Sequence, residues 1–261
     1  MIVSVFPWPD KMFDKIRILR SLGDLIYPPR CVSCEAFLGH SFAEEEARIS
    51  LCSSCRGDLL KLDSPLCPIC STPFSSEVRE DHLCEDCIRK RPFYEAAGAP
   101  FLFKGVLKDA IHKIKYGGKS HIADSLGPLL ARFAEEWVRD SHGLITIPVP
   151  LHPKRLRQRG FNQALLLARY VAKRLETDLD FLSLRRLRHT VPQTGLGKRE
   201  RAKNVRGAFV VTDPEAVKGK TALIVDDVST TGNTLNECAK TLKKSGCDKV
   251  LCLVLAKAPG P

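Results

Sequence analysis

Apolar residues along the second half of the chain alternate between two periods. Between positions 106 and 115, Leu107, Ala110, Ile111 and Ile114 recur at helical spacing and predict one apolar helix face. Positions 143–150 (GLITIPVP) form an uninterrupted apolar run of strand length, which predicts a strand covered on both faces. Helical spacing returns over 162–175 with Ala164, Ala168, Val171 and Leu175, and a charged, turn-rich stretch follows from 184 to 207. A strand over 221–225, a helix over about 234–244 with the stripe Leu235, Cys238, Ala239 and Leu242, and a strand over 249–255 complete the pattern, with Gly246 as the stop after the last helix. Such alternation predicts an α/β fold, a parallel sheet covered by helices.

The first third of the chain follows a different rule. Eight of the chain's eleven cysteines form four C-x-x-C pairs there, Cys31/Cys34, Cys52/Cys55, Cys67/Cys70 and Cys84/Cys87, all before residue 88. Two thiolates two residues apart can converge on one tetrahedral ion, and a second pair completes a four-sulfur zinc shell. The repetition therefore predicts two structural Zn²⁺ ions and excludes a thioredoxin-like redox pair, which would be a single motif opening a helix. Sequential pairing is the simpler topology, and interleaved pairing stays open. His40 and His82 offer alternative ligands, yet eight cysteines already fill two sites. A closed four-sulfur shell leaves no position for water, so these centres are expected to staple a small segment and not to catalyse. Cys238, Cys247 and Cys252 read as small core residues. The composition shifts at IRKRPFYEAAGAP, which divides the chain into an N-terminal helix and double zinc-ribbon domain over 1–95 and a second domain over 96–261.

With 261 residues and 44% hydrophobic content the chain can bury a core. Its apolar runs are far shorter than the ~20 residues a membrane helix needs. The N-terminal segment lacks the apolar core of a secretory signal, so the expected location is cytoplasmic. Net charge is +11, and much of it is local: between residues 152 and 206 fifteen Lys and Arg, among them Arg155, Arg157, Arg159 and Arg199, face only Glu176, Asp178, Asp180 and Glu200. Such a cluster favours an anionic ligand.

The stretch TALIVDDVSTTGNTL, 221–235, supplies a candidate site. A strand ending at Val225 delivers Asp226 and Asp227 to the carboxyl edge of a parallel sheet, where ligands of open α/β folds sit. Small hydroxyl residues around Gly232 then lead into a helix whose N-terminus can cradle a phosphate. Paired carboxylates beside that cradle suit a ribose diol, and the pair is expected to be functional and not structural. A P-loop is excluded: the glycine required five residues before Gly118 or Gly219 is replaced by Lys113 or Pro214.

The segment LIVDDVSTTGNTL resembles the phosphoribosyl pyrophosphate (PRPP) motif of type I phosphoribosyltransferases. Together with LGDLIYPPRCVSC, IHKIKYGGKS, PVPLHPKRLRQRGFNQA and TVPQTGLGKRERAKNVRGAF, in that order, it resembles the ComF/GntX family, a double zinc ribbon joined to a phosphoribosyltransferase domain. The resemblance implies that Asp226 and Asp227 hold the ribose hydroxyls and that Ser229, Thr230, Thr231, Gly232 and Thr234 surround the 5′-phosphate. Residues 149–152, including Leu151 and His152, correspond to a pyrophosphate loop followed by Arg155, Arg157, Arg159, Gly160, Asn162 and Gln163. Gln193, Arg199 and Asn204 fall in a loop that covers the site in related transferases, with Arg199 joining the two aspartates as a catalytic candidate.

The same resemblance implies Mg²⁺ bound with PRPP, transfer of phosphoribose to an unidentified acceptor, and a link to DNA uptake and natural competence. Two functional classes follow: an active transferase, and a non-catalytic coupling protein that binds PRPP or single-stranded DNA beside a DNA-uptake helicase or channel. Only Phe161, Tyr170 and Phe181 interleave with the basic stretch, so stacking platforms for bases are sparse.

Overall fold

The computed structural model describes residues 28, 30–38, 50–74, 80–189 and 198–259, with the side chains of 198, 199, 201 and 202 outside that description. The expected N-terminal helix, His40 and Gln193 lie outside it. The two cysteine-rich segments repeat one local build. In each, the first C-x-x-C sits on a tight turn closed by an antiparallel bridge, Arg30↔Phe37 in one and Leu66↔Pro73 in the other. The residue after its second cysteine, Glu35 or Ser71, adopts positive φ. The second pair opens a short helix with its first cysteine at the N-cap: Cys52 before α1 (Ser53–Gly57) and Cys84 before α2 (Glu85–Arg89).

The rest of the chain builds a six-stranded sheet in the order β1-β8-β7-β3-β4, with β2 pairing β8 beyond β1. Its strands are β1 (Ala96–Gly98), β2 (Phe101–Leu102), β3 (Leu144–Pro148), β4 (Asp178–Leu179), β7 (Thr221–Ser229) and β8 (Lys249–Lys257), and every pairing is parallel. The two-residue strand period sorts β7 cleanly. Leu223 and Val225 face α3 (Gly105–Gly117), α4 (Ile122–Trp137) and α6 (Gln163–Leu175), whereas Ala222 and Ile224 face α8 (Asn233–Lys244). The predicted stripes are the buried ones: Leu107, Ala110, Ile111 and Ile114 on α3, and Leu235, Cys238, Ala239 and Leu242 on α8.

Several boundaries differ from the sequence expectation. β7 runs on to Ser229 because β8 is equally long and keeps pairing with it, Asp226↔Val254, Val228↔Ala256 and Ser229↔Lys257. The stretch 184–207, expected to be irregular, contains β5 (Leu184–Arg186), which pairs antiparallel with β6 (Phe209–Val211), and α7 (Lys198–Val205). α4 and the short α5 (Pro153–Arg159) had no predicted counterpart.

The cysteine segments pack onto the sheet domain. Backbone of the second segment covers the outer edge of β1, with Ala97 N donating to Ile69 O at 2.7 Å and Ser71 Oγ donating to Ala97 O at 2.5 Å. Unpaired strand edges invite further pairing, and this coverage removes one. The first segment rests on α3, where Lys113 Nζ donates to Ser33 O at 2.6 Å.

Candidate functional site

The cysteines gather sequentially. Cys31, Cys34, Cys52 and Cys55 form one cluster and Cys67, Cys70, Cys84 and Cys87 another, with all sulfurs of each within 4.8 Å of one another. Sulfurs at the corners of a zinc tetrahedron with 2.3 Å bonds stand about 3.8 Å apart. Cys34 to Cys52 at 3.7 Å and Cys70 to Cys84 at 3.5 Å match that edge. Both clusters therefore suit structural Zn²⁺, and the interleaved pairing is ruled out. Cys238, Cys247 and Cys252 are buried in the sheet domain, as expected.

At the centre of the sheet, β3 stops at Pro148, opposite Val225 of β7. Val149 N still donates to Val225 O at 2.8 Å, after which 149–152 departs from the sheet. Proline at 148 and 150 cannot extend the ladder as a donor. Residues 226–229 of β7 are thus paired on the β8 side and open toward 149–152, the crevice at the carboxyl ends of strands where α/β folds bind ligands.

Both aspartates sit in that crevice, and both are buried. Their surroundings divide them. Lys115, in the last turn of α3, places its ammonium 2.5 Å from Asp227 Oδ2, and Gln163 Nε2 donates to Asp227 Oδ1 at 3.3 Å. Arg159 in turn donates to Gln163 Oε1 at 2.5 Å. Burial opposes charge on Asp227 and Lys115 alike, but their mutual attraction outweighs it: the carboxyl is held below its ordinary value and the amine above. Among the described residues no cationic side chain pairs directly with Asp226. Its Oδ1 accepts from Asp227 N at 2.9 Å, and burial, then the neighbouring Asp227 charge, push its carboxyl well above the usual range. The expectation that this pair has no structural role is corrected for Asp227, which is one half of a buried ion pair.

The loop after β7 holds the other expected residues together. Ser229 is buried, Thr230, Thr231 and Thr234 are half-buried, and Gly232 is the N-cap of α8 with φ +71°. A Cβ at Gly232 would stand 3.1 Å from the Tyr94 hydroxyl, so chain conformation and space both favour glycine. Lys257 Nζ donates to Thr230 O at 3.0 Å from below.

Leu151 and His152 border the crevice on the β3 side. His152 is the N-cap of α5, its Nδ1 accepting from Lys154 N at 3.1 Å, and its ring meets His189 edge-on at 5.1 Å between centroids. Asn162 caps α6 and donates to Val149 O at 3.0 Å, which ties the 149–152 turn to the helix carrying Gln163. The basic stretch is not one solvated face. Arg186 is buried beneath the Phe209 ring at 5.3 Å, and Arg188 donates to the carbonyls of Asn204 at 3.1 Å and Arg206 at 2.6 Å. Arg199 lies in α7 with its side chain outside the described residues.

Sequence reasoning assigned no role to Lys115, Tyr94, Arg186 or Lys257. Lys115 stands inside the quoted segment IHKIKYGGKS, where a lysine in an apolar helical stripe was a usable signal. The contacts of Tyr94 and Lys257 depend on packing between distant segments and left no local mark.

Comparisons with known proteins agree with both halves of the chain. Residues 22–88 match the family described as "Double zinc ribbon domain" and residues 162–261 the one described as "Phosphoribosyl transferase domain". "Competence protein F" of Haemophilus influenzae is 30% identical over 88% of this chain and 97% of its own length. "DNA utilization protein YhgH" of Shigella flexneri is 34% identical over 77% of this chain and 87% of its own. Among solved structures, phosphoribosylpyrophosphate synthetase from Mycobacterium smegmatis shares 16% identity, with a TM-score of 0.32 over 51% of this chain and 33% of that one, a likeness too slight to argue from. On these relatives, matched over most of their length, and on the two matched domains, the chain belongs to the ComF/GntX family, a double zinc ribbon joined to a phosphoribosyltransferase domain.

Proposed function

We propose that the crevice above β7 binds PRPP with Mg²⁺ and transfers its phosphoribose to an acceptor. One observation carries this reading: a buried carboxylate pair at the end of the central strand runs directly into a Ser/Thr loop whose glycine starts a twelve-residue helix. Asp226 and Asp227 accept from the ribose hydroxyls, and the 229–234 turn with the α8 N-terminus receives the 5′-phosphate. Leu151 and His152 line the pyrophosphate side, next to the basic residues of α5. Mg²⁺ supplies charge neutralisation of the pyrophosphate oxygens when it arrives with the ligand.

No covalent nucleophile is required. Breaking the anomeric bond leaves positive charge on the ribose and sends the electron pair away with pyrophosphate, so fixed charges and orientation provide the rate. Asp226 and Asp227 orient the sugar, and Arg199 meets the charge that develops on the leaving group. The four-sulfur zinc shells need thiolate ligands, which suits a reducing, cytoplasmic setting. Among the described residues no helix is long and apolar enough to cross a membrane.

The names of the relatives, "Competence protein F" and "DNA utilization protein", favour work in DNA uptake or use and keep a second reading: a coupling protein that binds PRPP or single-stranded DNA, beside a helicase or channel, without turnover. Arg199→Ala separates the two. In a transferase it lowers pyrophosphate release more than PRPP affinity, because its contact strengthens in the transition state. A binder of single-stranded DNA instead loses about 0.7 from the slope of log affinity against log salt for one lost phosphate contact. PRPP binding by the wild-type chain with no pyrophosphate release across a panel of bases, amines and nucleic acids selects the coupling protein.

A further inference from the structure

Two adjacent buried carboxylates would ordinarily draw a divalent cation or hold a proton. Here a side chain of the same protein stands against one of them. The Lys115 ammonium lies 2.5 Å from Asp227 Oδ2, with 22% of the lysine side chain and 5% of the aspartate side chain exposed. It reaches the pair from a fixed base. Ile111 and Ile114 bury the same helix against the core, and Lys113, two residues earlier, anchors it to the first cysteine segment through Val32 O and Ser33 O. On the other side Gln163, itself held by Arg159, engages Asp227 Oδ1. Before any ligand arrives, Asp227 Oδ1 thus accepts a hydrogen bond and Oδ2 faces the Lys115 ammonium as an ion pair.

We propose that Lys115 is a built-in counter-ion that keeps the Asp226–Asp227 pair closed to free divalent metal, so that metal enters the crevice only on the phosphates of the incoming ligand. Mg²⁺ gives up water reluctantly and is commonly held by one or two carboxylates together with substrate phosphates. A resident ammonium removes the carboxylate half of that offer until phosphates are present. The order of binding is then set by one lysine, and unproductive loading of the acid pair by metal alone is prevented. Metal exclusion stands on the observed ion pair. Only entry with the ligand rests on the PRPP reading.

The test uses the full-length, zinc-loaded chain with Mn²⁺ as probe, read as loss of the free Mn²⁺ signal by electron paramagnetic resonance. Wild-type protein should bind no Mn²⁺ at this pair alone and about one equivalent once PRPP is added, the site size expected for one phosphate-borne metal. Lys115→Met should bind Mn²⁺ without PRPP at least about tenfold more tightly than wild type, because an uncompensated carboxylate then faces the crevice. Adding Asp227→Asn to that variant should abolish the gain, and Lys115→Arg, which keeps the charge, should behave as wild type. Lys115→Gln replaces the methionine variant if the latter does not fold, with the same expected gain. Equal Mn²⁺ binding by wild type and the neutral variants, at any level, overturns the counter-ion. If wild type fails to bind PRPP but the neutral variants still gain Mn²⁺, the PRPP reading fails and the counter-ion stands.

Discussion

Lys257 holds the candidate phosphate loop through the Thr230 carbonyl, within reach of the charge of the second cysteine cluster. The lysine ends β8, pairs in register with Ser229, and donates to the Thr230 carbonyl at 3.0 Å while only 4% exposed. Its pKa is drawn down by burial, against the opposing pull of Cys70, Cys84, Cys87 and Cys67. A zinc ion with four thiolates keeps net negative charge, so the second cluster lies on the side that favours this buried cation. Lys257→Met leaves the Thr230 carbonyl without its donor and should cost about 1–3 kcal/mol in denaturant unfolding, together with weaker PRPP binding. Unchanged unfolding and unchanged affinity would remove Lys257 from the account.

Metal content is expected to be two zinc ions per chain. Cys31→Ser and Cys67→Ser should each lose one equivalent by metal analysis and lower the melting temperature, because ligand deprotonation, metal binding and folding are coupled. Protein prepared without chelator and found free of zinc would contradict the assignment of both clusters.

The two aspartates should respond to amidation with opposite sign. Asp227→Asn strips the buried Lys115 of its counter-charge and should destabilise the fold by about 3–5 kcal/mol. Because Asp227 is held below its ordinary value, the wild-type contribution is present above pH ~3.9 and is lost as the pH falls through the lower, folded-state pKa. Asp226 is raised, so its favourable contribution is present below pH ~3.9 and is lost as the pH rises through the folded-state value. Asp226→Asn keeps the neutral form at every pH and should stabilise the protein by about 0.5–2 kcal/mol near neutrality, a gain that vanishes in acid. Thermal melts of both variants across pH check the signs.

Gly232→Ala meets two obstacles. The left-handed backbone costs about 1–2 kcal/mol for a side chain, and the new methyl presses on the Tyr94 hydroxyl. In a Tyr94→Phe background the contact is removed and only the backbone cost should remain. A double-mutant cycle by chemical denaturation measures the difference. Additive costs would show that the tyrosine does not confine the loop.

The α/β class, the buried stripes of α3 and α8, and the eight clustered cysteines were legible because each follows from a local period or spacing. The end of β7 was not. Polar residues at 226 and 227 look like a strand terminus, yet the length of β8 decides where pairing stops. α4 was hidden by Gly127 and Pro128 in its middle. Both are accommodated there, and a Cβ on Gly127 would collide with the Tyr170 ring, so close packing against α6 sets that position. The carboxylate pair was visible in sequence as a candidate site, but its division into one acid that is ion-paired and one that is not was hidden. That division depends on Lys115, which only the packing of α3 against β7 brings near.

The central claim, PRPP bound at the junction of β7 and α8, is tested most directly by calorimetric titration of wild type and Asp226→Asn with PRPP in the presence of Mg²⁺. The asparagine variant is expected to be the more stable protein, so any loss of binding is separated from loss of folding. Wild type should bind, and the variant should bind more weakly by about 0.5–1.5 kcal/mol, roughly 2- to 13-fold, for one hydrogen bond to a ribose hydroxyl. No binding by the wild-type protein, or equal affinity in the two, would contradict it.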